Sequence, residues 1–96
     1  MGKNEILEIL RNYKAQYAEK YGIRNLGVFG SVARDTARDD SDVDVVVYLE
    51  KPDLFSLAGI KEDLEEKTHK HVDIVAYREK MNRFLKTRID KEAVYV

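Results

Sequence analysis

The sequence predicts an α/β (α+β) fold, a small mixed β-sheet with helices on one face, and three observations carry that prediction. Apolar residues recur at helical spacing in the first segment. Short runs rich in Val, Ile and Leu then alternate with further helical segments, the pattern of strands covered by helices. Finally, no repeat, linker or low-complexity tract interrupts the 96 residues, so one domain over 1–96 is expected. With the helices on one side, the opposite sheet face is left to carry a site.

The elements follow in order. Ile6, Leu10, Tyr13 and Tyr17 stand at spacings of four, three and four, on one helical stripe. Asn4 is placed to cap this helix, and Gly22, just past Lys20, to end it in a left-handed turn. A short strand is expected over Asn25–Phe29, closed by Gly30 and Ser31, and then a short helix over Val32–Arg38. After a turn through Asp39, Asp40 and Ser41, the run Val43–Leu49 is the strongest strand signal in the chain. Lys51, Pro52 and Asp53 form a break, with Asp53 able to cap a helix whose inner stripe is Leu57, Ile60 and Leu64. Val72–Tyr77 predicts a third strand. Met81, Leu85 and Ile89 mark one face of a last helix, and Val94–Val96 predicts a short terminal strand.

Composition narrows the function classes. Lys and Arg total 17 against 18 Asp and Glu, a formal charge of −1. With no basic excess, direct nucleic-acid binding is not expected, because phosphate neutralisation supplies most non-specific affinity. Cysteine is absent, which excludes disulfides, thiolate metal sites and a Cys nucleophile and fits a reducing cytoplasm. No apolar run approaches the ~18 residues that span a membrane, and the N-terminus lacks a signal-peptide core, so a soluble cytoplasmic protein is expected.

The chemistry concentrates in Asp42, Asp44 and Asp73. On a strand, residues two apart point to the same side, about 6.5–7 Å apart at their origins. Two carboxylates at that separation repel by roughly 2–3 kcal/mol at an effective dielectric near 20. Asp39 and Asp40 deepen the negative field, so a cation is called for: Arg34, Arg38 or a divalent metal such as Mg²⁺, which prefers hard oxygen ligands. Asp73 lies in a second apolar strand between Val72 and Ile74, where a charge is costly unless it faces solvent, a partner or a metal. Three carboxylates on adjacent strands can hold two divalent ions about 3.5–4 Å apart. Gly30 and Ser31, at a strand-to-helix turn, offer backbone amides and a hydroxyl to a phosphate. Each part alone also reads as an ordinary turn or a solvated acidic doublet. His69 and His71 are read as an incidental exposed pair.

Taken together, Gly30-Ser31, ten residues, then Asp42-Val43-Asp44 resembles the G-S-x(10)-D-x-D signature of the polymerase β-like nucleotidyltransferase superfamily, with Asp73 where its third carboxylate is expected. The local text Gly30-Ser31-Val32-Ala33-Arg34 and Ser41-Asp42-Val43-Asp44-Val45-Val46-Val47 is similar to the minimal nucleotidyltransferase (MNT) antitoxins of that superfamily. The resemblance implies the nucleotidyltransferase fold over nearly the whole chain. It implies that Gly30 and Ser31 hold the nucleotide, that Asp42 and Asp44 ligate Mg²⁺, and that Asp73 completes a metal site and orients or deprotonates the acceptor hydroxyl. Arg34 would steady a phosphate or pair with Asp39 or Asp42.

A chain of this length buries roughly 60–68% of its extended-chain surface, enough for one core and no acceptor-binding lobe. The acceptor then comes from another chain. The resemblance implies AMP transfer from ATP onto a tyrosine of a HEPN-type ribonuclease toxin, in a hetero-oligomer. Two alternatives stand beside it: an antitoxin that neutralises its toxin by binding alone, and a transferase acting on a small molecule.

Overall fold

The computed structural model describes residues 1–96. Helix α1 (Lys3–Tyr21) opens the fold and buries Ile6, Leu10 and Tyr13, the expected stripe. Its N-cap is Gly2, and Asn4 lies inside the first turn, too late to cap it. Gly22 ends the helix at φ 66°, a left-handed conformation that an L side chain resists, and its N–H donates to the Ala18 carbonyl.

Strand β1 (Ile23–Phe29) starts two residues earlier than predicted, because Ile23 pairs with Leu49 across an irregularity before Asn25. The short helix α2 spans Gly30–Ala33 rather than Val32–Arg38. Asp35, at φ 61°, turns left-handed and breaks it; the Thr36 N–H donates back to the Ser31 carbonyl at 2.9 Å. Strand β2 occupies Val43–Leu49 as predicted. Asp53 caps α3 (Leu54–Thr68), accepting the Ser56 N–H at 2.8 Å. Strand β3 (Val72–Ala76) and helix α4 (Arg83–Glu92) follow, the latter capped by Asn82, so that Met81 precedes the helix. Strand β4 is Val94–Tyr95. No helix is long and apolar enough to cross a membrane.

The sheet has the order β3-β2-β1-β4, with β2 and β3 parallel and the other pairs antiparallel. The mixed sheet is the fold class the sequence predicts. Period-two alternation sorts its side chains. Val43, Val45, Val47, Leu26 and Val28 face α1 and α3, where they join Ile6, Leu10, Ile60 and Leu64 in the main core. Phe29 and Val46 face the other way and pack with Ile89 of α4, flanked by Tyr48, Val75 and Leu85. The second face is therefore not wholly open: α4 covers part of it and leaves one end exposed, and that end carries the site.

Leu64 is fully buried between α3 and the sheet. Leu64→Ala is expected to cost about 2–5 kcal/mol, a transfer term plus a cavity, read from a urea midpoint. A loss well under 1 kcal/mol would mean that α3 is not packed as described.

Candidate active site

Strand β1 runs antiparallel to β2, and β2 parallel to β3, so the C-terminal end of β1 lies beside the N-terminal ends of the other two. Register makes the neighbourhood specific. Phe29 is the partner of Asp44, and Asp44 is the partner of Asp73. Phe29, Asp44 and Asp73 thus stand side by side across three strands, and Gly30, the next residue after Phe29, lies against the Asp44 carboxylate. Because Val43 and Val45 are committed to the main core, Asp44 alternates onto the second face, where it is half-buried; Asp73 is exposed beside it.

Asp42 departs from the sequence reading in one respect. It lies just before β2 rather than on it, and is exposed. Its charge still reaches Asp44. The Asp44 carboxyl is pushed above its ordinary value of 3.8, chiefly by burial and next by the Asp73 charge, with Asp42 adding and Arg88 and Arg34 opposing. A half-buried carboxylate between two others is a site of excess negative potential.

Gly30 sits at φ 69°, and a Cβ there would run into the Asp44 carboxylate. Only glycine lets β1 turn into α2 this close to Asp44. Ser31 is inside α2 and caps nothing, since the N-cap position is Phe29. The ordinary role of an N-cap serine is therefore excluded, and its hydroxyl lies one residue from the turn.

Two residues of the site were not visible in the sequence. The Glu92 carboxylate accepts the Gly30 N–H at 3.1 Å and two contacts from Arg34 Nη1 at 3.0 Å. Arg34 is thus paired with Glu92, and with neither Asp39 nor Asp42. Arg88, one helical turn before Glu92, lies over the Phe29 ring at 5.5 Å and next to Gly30. The only sequence signal for this pair is its i, i+4 spacing on the last helix, which puts both on one face.

His69 and His71 do not converge. His69 caps the end of α3 at φ 56°, and His71 Nδ1 lies 3.1 Å from Glu65.

No group of three His, Cys, Asp or Glu side chains is drawn together tightly enough to hold a metal ion. The donor chemistry of the carboxylate row nevertheless fits a hard divalent cation. It is all oxygen, and Asp44 is raised by burial and by its acidic neighbours, a cost that a cation relieves. Asp42, Asp44 and Asp73 would hold such an ion after side-chain adjustment.

The family model described as a nucleotidyltransferase domain matches residues 10–96. The chain belongs to the nucleotidyltransferase domain family. The protein adenylyltransferase MntA of Thermococcus cleftensis is 39% identical over 93 residues, which cover 96% of this chain and 93% of that one. A candidate protein adenylyltransferase of Methanocaldococcus jannaschii is 31% identical over 94 residues, covering 97% and 96%. Among solved structures, a candidate minimal nucleotidyltransferase superposes with a TM-score of 0.78 at 32% identity, over 98% of this chain and 95% of its own. The tri-AMPylated HEPN toxin of Shewanella oneidensis in complex with an MNT antitoxin matches at a TM-score of 0.62 and 18% identity, over 97% and 66%, a likeness of fold. This nucleotidyltransferase is therefore of the minimal branch, and its fold is the one that branch shares.

Proposed function

We propose that this nucleotidyltransferase transfers AMP from ATP, with Mg²⁺, onto a tyrosine of a partner HEPN-type ribonuclease toxin, and so acts as its antitoxin in the cytoplasm. The observation that carries the proposal is the row Gly30, Asp44, Asp73, formed by the turn after β1 and by β2 and β3, with Asp42 just before β2.

The chemistry follows from that row. The acceptor hydroxyl, placed at Asp73, attacks the α-phosphorus of ATP. The new bond joins the acceptor oxygen to phosphorus, the bond to the bridging oxygen breaks, and pyrophosphate leaves opposite the attack. Asp73 orients the hydroxyl and takes its proton. Asp42 and Asp44 would hold the divalent ion, which would supply neutralisation of the phosphate charge. Gly30 and Ser31 lie against the triphosphate. The protein's own contribution is positioning and charge compensation, as in phosphoryl transfer generally.

The partner half of the proposal has its own support. The relatives are named for modifying proteins, and the site lies at an exposed end of the sheet, open to a partner chain. Leu54, Phe55 and Phe84 stand exposed near a groove lined by Leu57, Ile74, Met81 and Leu85, apolar surface of the kind a protein partner covers.

One observation favours the binding-only alternative: the Gly30 amide is already taken by Glu92. A single experiment separates the two. Labelled ATP, Mg²⁺ and the candidate toxin are incubated with the wild-type chain and with the Asp42→Asn/Asp44→Asn double variant. Label on a toxin tyrosine that disappears with the variant, together with loss of neutralisation, is expected. Full neutralisation by the variant, without label, would establish occlusion instead. Label appearing on a small molecule in a partner-free reaction would point to the third class.

A further inference from the structure

We propose that Arg88 of α4 is the residue that grips the leaving pyrophosphate portion of the nucleotide. The inference rests on the nucleotidyltransferase reading of the site and adds to it a group from an element outside the G-S-x(10)-D-x-D motif.

Charge is the first consideration. Asp42, Asp44 and Asp73 repel a triphosphate, so the site needs cations besides any metal. Two guanidinium groups act on Asp44, those of Arg88 and Arg34. Arg34 is committed to Glu92, with Nη1 3.0 Å from both carboxylate oxygens. Arg88 takes part in none of the ion pairs of the molecule. Glu92, its natural i+4 partner, is turned away onto Arg34 and the Gly30 amide. The result is a cation at the mouth of an acidic site with no carboxylate of its own.

Position is the second. Arg88 Nη2 lies 3.5 Å from the point where a Cβ on Gly30 would stand, on the β1 side of the row. Asp73, where the acceptor is placed, is on the β3 side, and Asp44 lies between. In-line displacement puts the attacking and leaving oxygens on opposite sides of phosphorus. With the acceptor over β3, the pyrophosphate leaves toward β1, where Arg88 stands. The guanidinium rests on the Phe29 ring at 5.5 Å, which limits its freedom before the nucleotide arrives. A planar fork of donors suits two phosphate oxygens at once.

The test is equilibrium binding of ATP and of AMP, each with Mg²⁺, to the wild-type chain, Arg88→Ala and Arg88→Lys, followed by calorimetry, with thermal melts as a check on folding. Arg88→Ala is expected to weaken ATP binding by about 10–100-fold, the worth of a charge-assisted contact. AMP binding, which lacks the leaving portion, should change less than about twofold, and Arg88→Lys should recover part of the loss. ATP binding by Arg88→Ala equal to wild type, or equal weakening for ATP and AMP, overturns the assignment and leaves the nucleotidyltransferase reading intact. A wild-type chain that binds AMP and ATP alike, or neither, overturns both.

Discussion

Asp44→Asn is expected to reduce nucleotide transfer by about 10³-fold or more while making the folded chain more stable. The first effect follows from the proposed role of Asp44 as ligand to a divalent ion, which would supply several kcal/mol of charge stabilisation in the transition state. The second follows from the site's own electrostatics. Burial and the neighbouring Asp73 and Asp42 charges raise the Asp44 carboxyl above 3.8, so its ionised form is held at a cost. For a group raised on folding, the favourable contribution is full below its unfolded value and is lost as pH rises through the folded one. At neutral pH that contribution is gone, and the repulsion remains. Adjacent strands are about 4.8 Å apart, and two charges near that distance in a solvent-screened setting cost on the order of 1 kcal/mol. Asn removes the charge and keeps the shape. The gain should appear as a higher urea midpoint at pH 7 that shrinks toward wild type near pH 4. A variant that is inactive and also markedly less stable at pH 7 would instead make Asp44 a structural carboxylate.

The same electrostatic cost is why the candidate site was legible in the sequence. Carboxylates in apolar strands, at Asp44 and Asp73, conflict with their surroundings, and such local conflicts mark function. Strand β2 was legible because Val43–Leu49 is a nearly unbroken run of β-formers, and α3 because Asp53 provides a cap before a clear apolar stripe. The extent of α2 was not, since nothing in the text Ala33-Arg34-Asp35-Thr36 announces that Asp35 turns left-handed. Nor was Asn4 excluded as a cap, because only the helix start at Lys3 decides it. Arg88 and Glu92 were hidden for a topological reason. Periodicity identifies the apolar face of α4 through Leu85 and Ile89, but does not say against which face of the sheet it packs. Once Ile89 lies against Phe29 and Val46, the edge of α4 adjoining that packed face falls beside Gly30, and a contact 62 residues apart in sequence appears.

Gly30→Ala tests the closest approach in that arrangement, and Gly22→Ala provides its control. Both glycines are left-handed, at φ 69° and 66°, so alanine at either position carries a backbone penalty of about 1–2 kcal/mol. Their surroundings differ. At Gly22 the added methyl meets Glu50 at 3.5 Å, ordinary contact, and the site lies elsewhere. At Gly30 it meets the Asp44 carboxylate in steric conflict and stands 3.5 Å from Arg88 Nη2. The cheapest relief is for the Asp44 side chain to move, because it is the far end of a flexible group. That movement displaces a proposed metal ligand, and misplacement on the order of 1 Å costs about 10²-fold in rate. The two variants should therefore lose similar stability in thermal melts and differ about a hundredfold in transfer, with Gly22→Ala near wild type. Equal activities would show that the β1 turn can recede from Asp44, and that the glycine serves the backbone alone.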